Sequence, residues 1–356
     1  MEGPRRLRWA AVLAAGLITA CGSGAGGGGA SAQTSAPPSG PATLSVSVGG
    51  VDPGHPERDL LAFYPSTLSA HPGDTLKLPN PTVGTPHTVT FGVLPDHSNQ
   101  PQLILPGVGF TPIAGGPCIS TQPVTATATT CPGAPAGAPP AATGTPPVEV
   151  TLPGPFAGQP FYNTGIFVGG QSVTLPLSPD IRPGAYRFIC MLHPTMVATL
   201  TVVAPGSPTQ TTAALTSAAG RQLSADRADG ATVATGVATP PAGTIQAGAV
   251  GRAMSVNQFF PSALTVAAGQ TVTWRDESYE PHVVVVGRQI TPDDPLVFGA
   301  PTPASGSPYS TGLAVSGLFG ARPFPSTSYA LTFPTAGTYS YICAIHPGMA
   351  GVVRVT

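Results

Sequence analysis

The sequence predicts an all-β protein with two tandem domains. Gly and Pro each occur 45 times among the 356 residues, and both residue types disfavour helix interiors. Short runs rich in Val, Thr, Leu and Tyr lie between them, which is the pattern of strands separated by turns. The same series of runs occurs twice, and the chain is long enough for two domains of ordinary size with linkers.

The extreme N-terminus has the features of an export signal. Three arginines precede a short apolar segment, Trp9 to Ala20, which is too short to span a bilayer as a helix. The small residues before Cys21 resemble a bacterial lipobox, in which the cysteine is acylated; the alternative is an ordinary secretory signal with an incidental cysteine. We therefore expect an exported protein, held at the cell membrane only by a lipid anchor and facing the periplasm or the cell exterior.

Changes in composition divide the rest of the chain. Stretches rich in Gly, Ser, Ala, Thr and Pro are typical of tethers, linkers and surface insertions. We predict a signal segment at 1–21, a flexible tether at 22–41, domain 1 at 42–203, a flexible linker at 204–247 and domain 2 at 248–356.

Domain 1 carries a large insertion at about residues 96–158, which contains the cysteines Cys118 and Cys131. In an oxidising compartment we expect these two cysteines to form a disulfide that closes a small loop. Metal binding is the weaker alternative, because no His or carboxylate lies between them.

The two domains align residue by residue. The segment that begins at Phe63-Tyr64-Pro65 corresponds to Phe259-Phe260-Pro261, and in each copy a Gly turn and a second strand follow. A Pro-His pair comes next, with His87 in the first copy and His282 in the second. Later in each copy, a turn leads into a strand that ends at a cysteine.

That cysteine begins a frame that occurs twice, Cys-x-x-His-Pro-x-Met. With the upstream histidine, each copy offers a thiolate, two imidazoles and a thioether, which is the ligand set of a blue-copper site. A buried Cys, a lone His or a lone Met is ordinarily a packing residue, but a complete set that recurs in register favours two copper ions per chain. The first set is His87, Cys190, His193 and Met196, and the second is His282, Cys343, His346 and Met349.

At these residues the chain resembles the cupredoxin family, and within it the plastocyanin and amicyanin group. The Pro-His pair, the Gly-x-Tyr-x-(Tyr/Phe)-x-Cys strand and the short Cys-x-x-His loop all match. The resemblance implies a Greek-key β-sandwich for each domain, with the two ligand sets above binding type 1 copper. It further implies that the copper sites carry single electrons.

The chain departs from this family after the upstream histidine. The family usually has an Asn there, whose side chain stiffens the Cys loop, whereas this sequence has Thr88 and Val283. A threonine hydroxyl is able to make part of that hydrogen bond, but valine is not. Because hydrogen bonds around the ligands orient them and tune the metal, the rigidity and potential of the second site do not follow from its ligand identity alone.

Two other functions are known for proteins with this kind of copper ligand set, namely catalysis and copper handling. Copper oxidases and reductases with two cupredoxin domains carry a His beside the type 1 Cys and further His clusters; here Cys190 and Cys343 have no His neighbour, and the chain has seven His in all. We therefore expect no enzyme activity. A copper chaperone or storage protein stays open as the main alternative, although the five Met do not cluster.

The low charge of the chain limits the kinds of partner that it is expected to bind. Only 8% of the residues are charged and the formal net charge is −1, so a nucleic-acid partner has no basic surface to bind. We expect a redox protein partner, either a membrane oxidase, a dehydrogenase or a cytochrome. It is expected to dock on an apolar rim beside an exposed His193 or His346.

Overall fold

The computed structural model describes residues 40–82, 85–92, 110–113, 116–119, 149–151, 154–159, 162–165, 167–193, 195–292, 294–321 and 324–356. For residues 110–113, 116–119, 149–151, 295 and 298 only the backbone is described. Both domains belong to one compact unit, Thr34–Thr356.

Domain 1 consists of thirteen described strands. Their bounds are β1 (Thr43–Ser45), β2 (Ser47–Val51), β3 (Arg58–Tyr64), β4 (Thr67–Ala70), β5 (Thr75–Pro79), β6 (Thr90–Phe91), β7 (Phe110–Ile113), β8 (Gly116–Ile119), β9 (Glu149–Thr151), β10 (Tyr162–Asn163), β11 (Ser172–Pro176), β12 (Gly184–Ile189) and β13 (Val197–Val202).

Domain 2 repeats this series without the insertion. A helix, α1 (Thr212–Thr235), precedes it, and a 3-10 turn, Pro295–Phe298, lies within it. Its strands are β14 (Thr244–Val250), β15 (Met254–Phe260), β16 (Ala263–Val266), β17 (Gln270–Arg275), β18 (Val284–Val286), β19 (Ala314–Val315), β20 (Ser328–Phe333), β21 (Gly337–Cys343) and β22 (Ala350–Val355).

Each domain is a sandwich of two sheets. In domain 1 the sheet β10-β6-β12-β13-β4 faces the sheet β1-β5-β11-β9; in domain 2 the sheet β16-β22-β21-β18-β19 faces strands β15-β14-β17-β20. Alternate residues of facing strands point inward, and aromatic rings fill the space between the sheets. Phe63, Phe91 and Phe188 fill domain 1, and Trp274, Tyr329 and Phe333 fill domain 2; all are fully buried. The all-β prediction is confirmed.

One sheet runs through both domains. Strands β2 and β3 of domain 1 continue into β15, β14, β17 and β20 of domain 2. The joint is the antiparallel pair β3–β15, in which Arg58 pairs with Val256, Asp59 with Ser255, and Leu60 with Met254. The edge of a sheet carries N–H and C=O groups without partners. The β3–β15 pairing provides hydrogen-bond partners for such groups on both domains.

The segment predicted as a flexible linker, 204–247, differs from that prediction because it contains α1. No proline occurs between Pro208 and Pro240, and the stretch is rich in Ala, the best helix former. Thr211 caps the N-terminus, since its hydroxyl accepts a hydrogen bond from the Ala214 N–H at 3.1 Å. The Gly and Pro content of the wider segment led to the prediction of a flexible linker and not of a helix.

Helix α1 packs on the joint between the domains. Asp226 on the helix is 1% exposed, accepts a hydrogen bond from the Tyr64 hydroxyl of domain 1 at 3.0 Å, and pairs with Arg252 of domain 2 at 2.6 Å. Gly230 lies so close to β15 that an added Cβ would come within 2.6 Å of the Met254 side chain. The helix therefore links the two domains.

Candidate metal centres

The first centre lies at one end of the domain 1 sandwich. His87 pairs with Phe167 just before β6, and Cys190 follows directly after β12. Two backbone hydrogen bonds fold the ligand loop back on itself: Cys190 N–H donates to Met196 C=O at 3.1 Å, and Met196 N–H donates to His193 C=O at 2.8 Å. The loop thus brings His193 and Met196 beside the cysteine.

The ligand atoms of this first centre converge. Cys190 Sγ lies 3.7 Å from His87 Nδ1 and 3.5 Å from His193 Nδ1, and the two Nδ1 atoms are 3.1 Å apart. His87, Cys190 and Met196 are fully buried and His193 is 4% exposed. The fold therefore shields the centre from water.

The second centre repeats this geometry in domain 2. Cys343 Sγ lies 3.7 Å from His282 Nδ1 and 3.4 Å from His346 Nδ1, with 3.1 Å between the two Nδ1 atoms. The same two loop hydrogen bonds occur, from Cys343 N–H to Met349 C=O at 2.9 Å and from Met349 N–H to His346 C=O at 3.2 Å. Met349 is buried beside them.

The donor atoms fit a small cation with soft and borderline ligands. Bonds of about 2.0 Å to nitrogen and about 2.3 Å to sulfur would place trigonal ligands about 3.5 Å apart, close to the observed separations. Two imidazoles and a thiolate with a nearby thioether favour copper in both oxidation states. Within the described ranges, these two clusters are the ones whose His, Cys, Asp or Glu side chains lie close enough to share a metal ion.

The environment favours the thiolate forms that bind metal. Burial by itself would raise the pKa of Cys190 and of Cys343, but the adjacent histidines outweigh it and lower both pKa values well below the ordinary range. One backbone N–H also donates to each sulfur, from Thr88 at 3.3 Å and from Val283 at 3.4 Å. The two thiols are therefore poised as metal ligands.

A glycine holds the outer edge of each upstream histidine. Gly49 and Gly248 lie at equivalent bulges with φ of 79° and 67°, a conformation that favours glycine. A Cβ at Gly49 would lie 2.7 Å from His87 Nε2, and one at Gly248 would overlap His282 Nε2. The close approach of the backbone at these glycines fixes the positions of the two rings. The sequence analysis missed them, although Gly49-Gly50 and Ala247-Gly248-Ala249 occupy matching strands of the two domains.

The expected difference between Thr88 and Val283 is present in the structure. The Thr88 hydroxyl accepts a hydrogen bond from the Met191 N–H at 2.8 Å and lies 4.0 Å from Cys190 Sγ. In the second centre the Ala344 N–H instead donates to the Val283 carbonyl at 3.0 Å. A side chain therefore ties the ligand loop in the first centre, and backbone alone ties it in the second.

The prediction of exposed downstream histidines is wrong. His193 and His346 are only 4% and 5% exposed, because the edges that carry them face each other across the joint between the domains. Of the apolar residues next to these histidines, which form the expected rim, Met191 and Ala344 are buried as well, Leu192 and Ile345 are half-buried, and Pro347 is exposed. The two histidines themselves are therefore closed to direct contact with a partner.

A single carboxylate lies between these two histidines. Glu280 is 5% exposed; its Oε1 is 3.1 Å from His346 Nε2 in hydrogen-bond geometry. Its Oε2 is 3.1 Å from His193 Nε2, at hydrogen-bond distance but without hydrogen-bond alignment. A cavity of about 40 Å³ beside Glu280 and His193 is lined by both domains, including Leu61 and Met254.

The charges of His193, Cys190 and Glu280 stabilise one another. Burial alone would lower the pKa of His193, but Glu280 and Cys190 outweigh it and raise that pKa to about 10. Burial would raise the pKa of Glu280, yet the two histidines hold it well below its usual range. Sequence reasoning missed Glu280, whose only signal was its position two residues before His282.

The structure does not describe the side chains of three predicted residues. Cys21 and Cys131 are outside the described residues, and of Cys118 only the backbone is described, in the hairpin of β7 and β8. The lipid anchor and the disulfide thus stay predictions. Within the described ranges, the helices fall short of the length and hydrophobicity that a membrane span requires.

Comparisons with known proteins agree with this geometry. The family model for copper binding proteins of the plastocyanin/azurin family matches residues 246–356. Plastocyanin from Scenedesmus fuscus is 35% identical over 99 residues, which are 27% of this chain and 85% of that protein. Plastocyanin from Rumex obtusifolius is 31% identical over 98 residues, 28% of this chain and 85% of that protein.

Among solved structures, amicyanin from Paracoccus versutus is similar, with 22% identity and a TM-score of 0.22 over 35% of this chain and 89% of that one. The chain belongs to the cupredoxin family of the plastocyanin/azurin type, and it carries two copper sites, as the sequence predicted.

Proposed function

We propose that the protein is a type 1 copper electron carrier with one copper in each domain. His87, Cys190, His193 and Met196 would hold the first ion, and His282, Cys343, His346 and Met349 the second. The observation that carries the proposal is the recurrence of one buried His-Cys-His cluster with nearly equal distances in both domains.

Copper in such a ligand set would supply a one-electron couple, Cu(II)/Cu(I). The chain's own contribution is to keep the ligands still while the charge changes. Cys343 ends a central strand and Cys190 directly follows one. Each ligand loop is closed by two backbone hydrogen bonds, and each upstream histidine abuts a glycine. Buried ligands that do not move require little reorganisation, which favours fast electron transfer over catalysis at an open metal position.

The finer parts of the proposal concern location and partner. An acylated Cys21 would hold the protein at the outer side of a bacterial membrane, where it would exchange electrons with an oxidase, a dehydrogenase or a cytochrome. Cys21→Ser should move the protein from the membrane fraction to the soluble exported fraction. A wild type already soluble in the exported fraction would refute the lipid anchor and leave the copper proposal intact.

Voltammetry on axial-ligand variants tests electron transfer against copper handling. Met196→Leu and Met349→Leu should each keep copper on the remaining two histidines and the cysteine, and should each raise the reduction potential of one site, because a thioether that tunes the metal is gone. Copper-loaded wild type without any reversible wave would favour a chaperone or storage role instead.

A further inference from the structure

The two domains meet with an internal two-fold symmetry. Phe63 corresponds to Phe259 in the repeat, so Arg58 corresponds to Met254 and Leu60 to Val256. In the β3–β15 pair, Arg58 pairs with Val256 and Leu60 with Met254. Equivalent edges therefore face each other, as in an isologous dimer, and this brings the two downstream histidines to the same place.

Glu280 breaks that symmetry. The equivalent residue of domain 1 is Thr85, whose hydroxyl donates to Asp59 at 2.8 Å. Asp59 also accepts from the Asn257 amide at 2.8 Å, so that side of the joint is a polar contact without a metal ligand. On the Glu280 side, by contrast, a buried carboxylate contacts a metal-ligating histidine from each domain.

The contacts form a continuous chain of groups. His193 and His346 each direct Nδ1 at their own cysteine and Nε2 at one oxygen of the same carboxylate, both at 3.1 Å. A carboxylate at Nε2 holds the proton on that nitrogen and leaves Nδ1 free for the metal. One carboxylate thus sets the tautomer and orientation of His346 by a hydrogen bond and lies at contact distance from the Nε2 of His193, so that it joins a ligand of each centre.

We propose that Glu280 connects the two copper sites, so that electrons pass between them inside one chain along the path His193–Glu280–His346. The proposal rests on the proposed function. When one site is reduced and the other oxidised, a single electron moves from the first to the second; no bond breaks and no proton is transferred. An external one-electron donor fills one site, and an external one-electron acceptor empties the other.

This path gives the buried histidines a use. In a single-domain carrier an exposed histidine would contact the partner. Here both histidines are buried and lie on either side of Glu280. An electron-transfer path across the joint would let a donor dock on one domain and an acceptor dock on the other. The chain would then relay electrons between two partners that need not share a docking surface.

Pulse reduction of the copper-loaded full chain tests the path. A reductant pulse of less than one electron per chain should populate both sites, and freeze-quench EPR should then follow their re-equilibration. In the wild type the rate should be first order and unchanged over a tenfold dilution. A rate that falls in proportion to protein concentration would show exchange between chains and would overturn the proposal without any variant.

Variants at the bridge identify the route. Glu280→Gln and Glu280→Thr, the second copying Thr85, should retain both coppers and slow the exchange at least tenfold. Asp226→Asn is the matched control, because it removes a buried carboxylate that contacts both domains without touching a ligand; its rate should stay within twofold of wild type. An equal slowing in all three variants, or none in the Glu280 variants, would reject Glu280 as the route.

NMR of the Cu(I)-loaded protein gives a readout other than electron transfer. Slowly exchanging Nε2–H signals are expected for His193 and His346, and both should move in Glu280→Gln while staying in place in Asp226→Asn. Reversible waves at both sites with an exchange rate insensitive to Glu280 would reject the bridge alone. Absence of any wave in the wild type would instead reject the proposed function.

Discussion

The two metal centres share their ligands and differ in what surrounds them. Their Sγ–Nδ1 and Nδ1–Nδ1 distances agree within 0.1 Å, and in both a backbone N–H donates to the sulfur. The first centre adds the Thr88 hydroxyl to the ligand loop, whereas the second has Val283. Backbone geometry thus builds the metal site, and single side chains distinguish one copy from the other.

A second difference lies beside the upstream histidines. Asn80 in domain 1 and Asp276 in domain 2 accept the same backbone hydrogen bond, from Thr82 and from Ser278. The Asn80 amide also donates to the carbonyls of Thr85 and Phe167, but Asp276 Oδ2 is buried without a hydrogen-bond partner. Domain 1 is fully satisfied at this position, and domain 2 is not.

The largest effect is expected from filling the glycine contacts. Gly248→Ala should destabilise the protein by about 3 kcal/mol, from a strained positive φ and overpacking against the ligand ring, and should remove the copper of domain 2. Gly49→Ala should do the same, less severely, in domain 1. Denaturant unfolding and copper content per chain measure both.

Gly269→Ala is the control for the glycine experiment, since Gly269 has φ of 83° but open space around its Cβ position. It should cost about 1 kcal/mol from the backbone alone and leave both coppers bound. Equal behaviour of the Gly248 and Gly269 variants would mean that the close approach to His282 is unimportant.

Next in size is the effect of Asp276. Burial raises the pKa of Asp276 to about 6 from 3.8, so the folded state binds a proton that the unfolded state has lost between these pH values. Stability of the metal-free protein should therefore fall as pH rises from about 4 to 6, by roughly 3 kcal/mol at 1.36 kcal/mol per pKa unit.

Asp276→Asn should abolish this pH-dependent loss, because it gives domain 2 the amide that domain 1 already has. Chemical denaturation at pH 4 and pH 7.5 is the measurement. The reverse exchange, Asn80→Asp, should introduce a similar loss in domain 1. A wild type equally stable at both pH values would contradict the burial argument.

The smallest effect is expected from exchanging the residues that tie the ligand loops. Thr88→Val removes the acceptor of the Met191 N–H and the hydroxyl near the thiolate, and should cost about 1 kcal/mol. Less hydrogen bonding to the thiolate stabilises Cu(II), so the potential of the first site should fall by up to about 40 mV, the one-electron equivalent of that energy. Val283→Thr should raise the potential of the second site. Shifts of the same sign in both variants would refute this account of the difference.

The ligands were predictable from the sequence because their frame recurs with its strands and turns. The glycines and Glu280 were not, for a physical reason. A glycine's role depends on which atom lies opposite its missing Cβ, and Glu280 acquires its role only because β3 pairs with β15. The helix was predictable, since residues 209–239 contain no proline. The composition of the whole segment 204–247 instead indicated a flexible linker.

The most direct test of the central claim is the copper content and EPR signal of three proteins: wild type, Cys190→Ser and Cys343→Ser. Two separate centres predict two coppers per chain in the wild type, and one copper with one remaining type 1 signal in each variant. A Cys190→Ser protein that keeps both coppers and its full blue absorption would contradict the assignment of a copper site to domain 1.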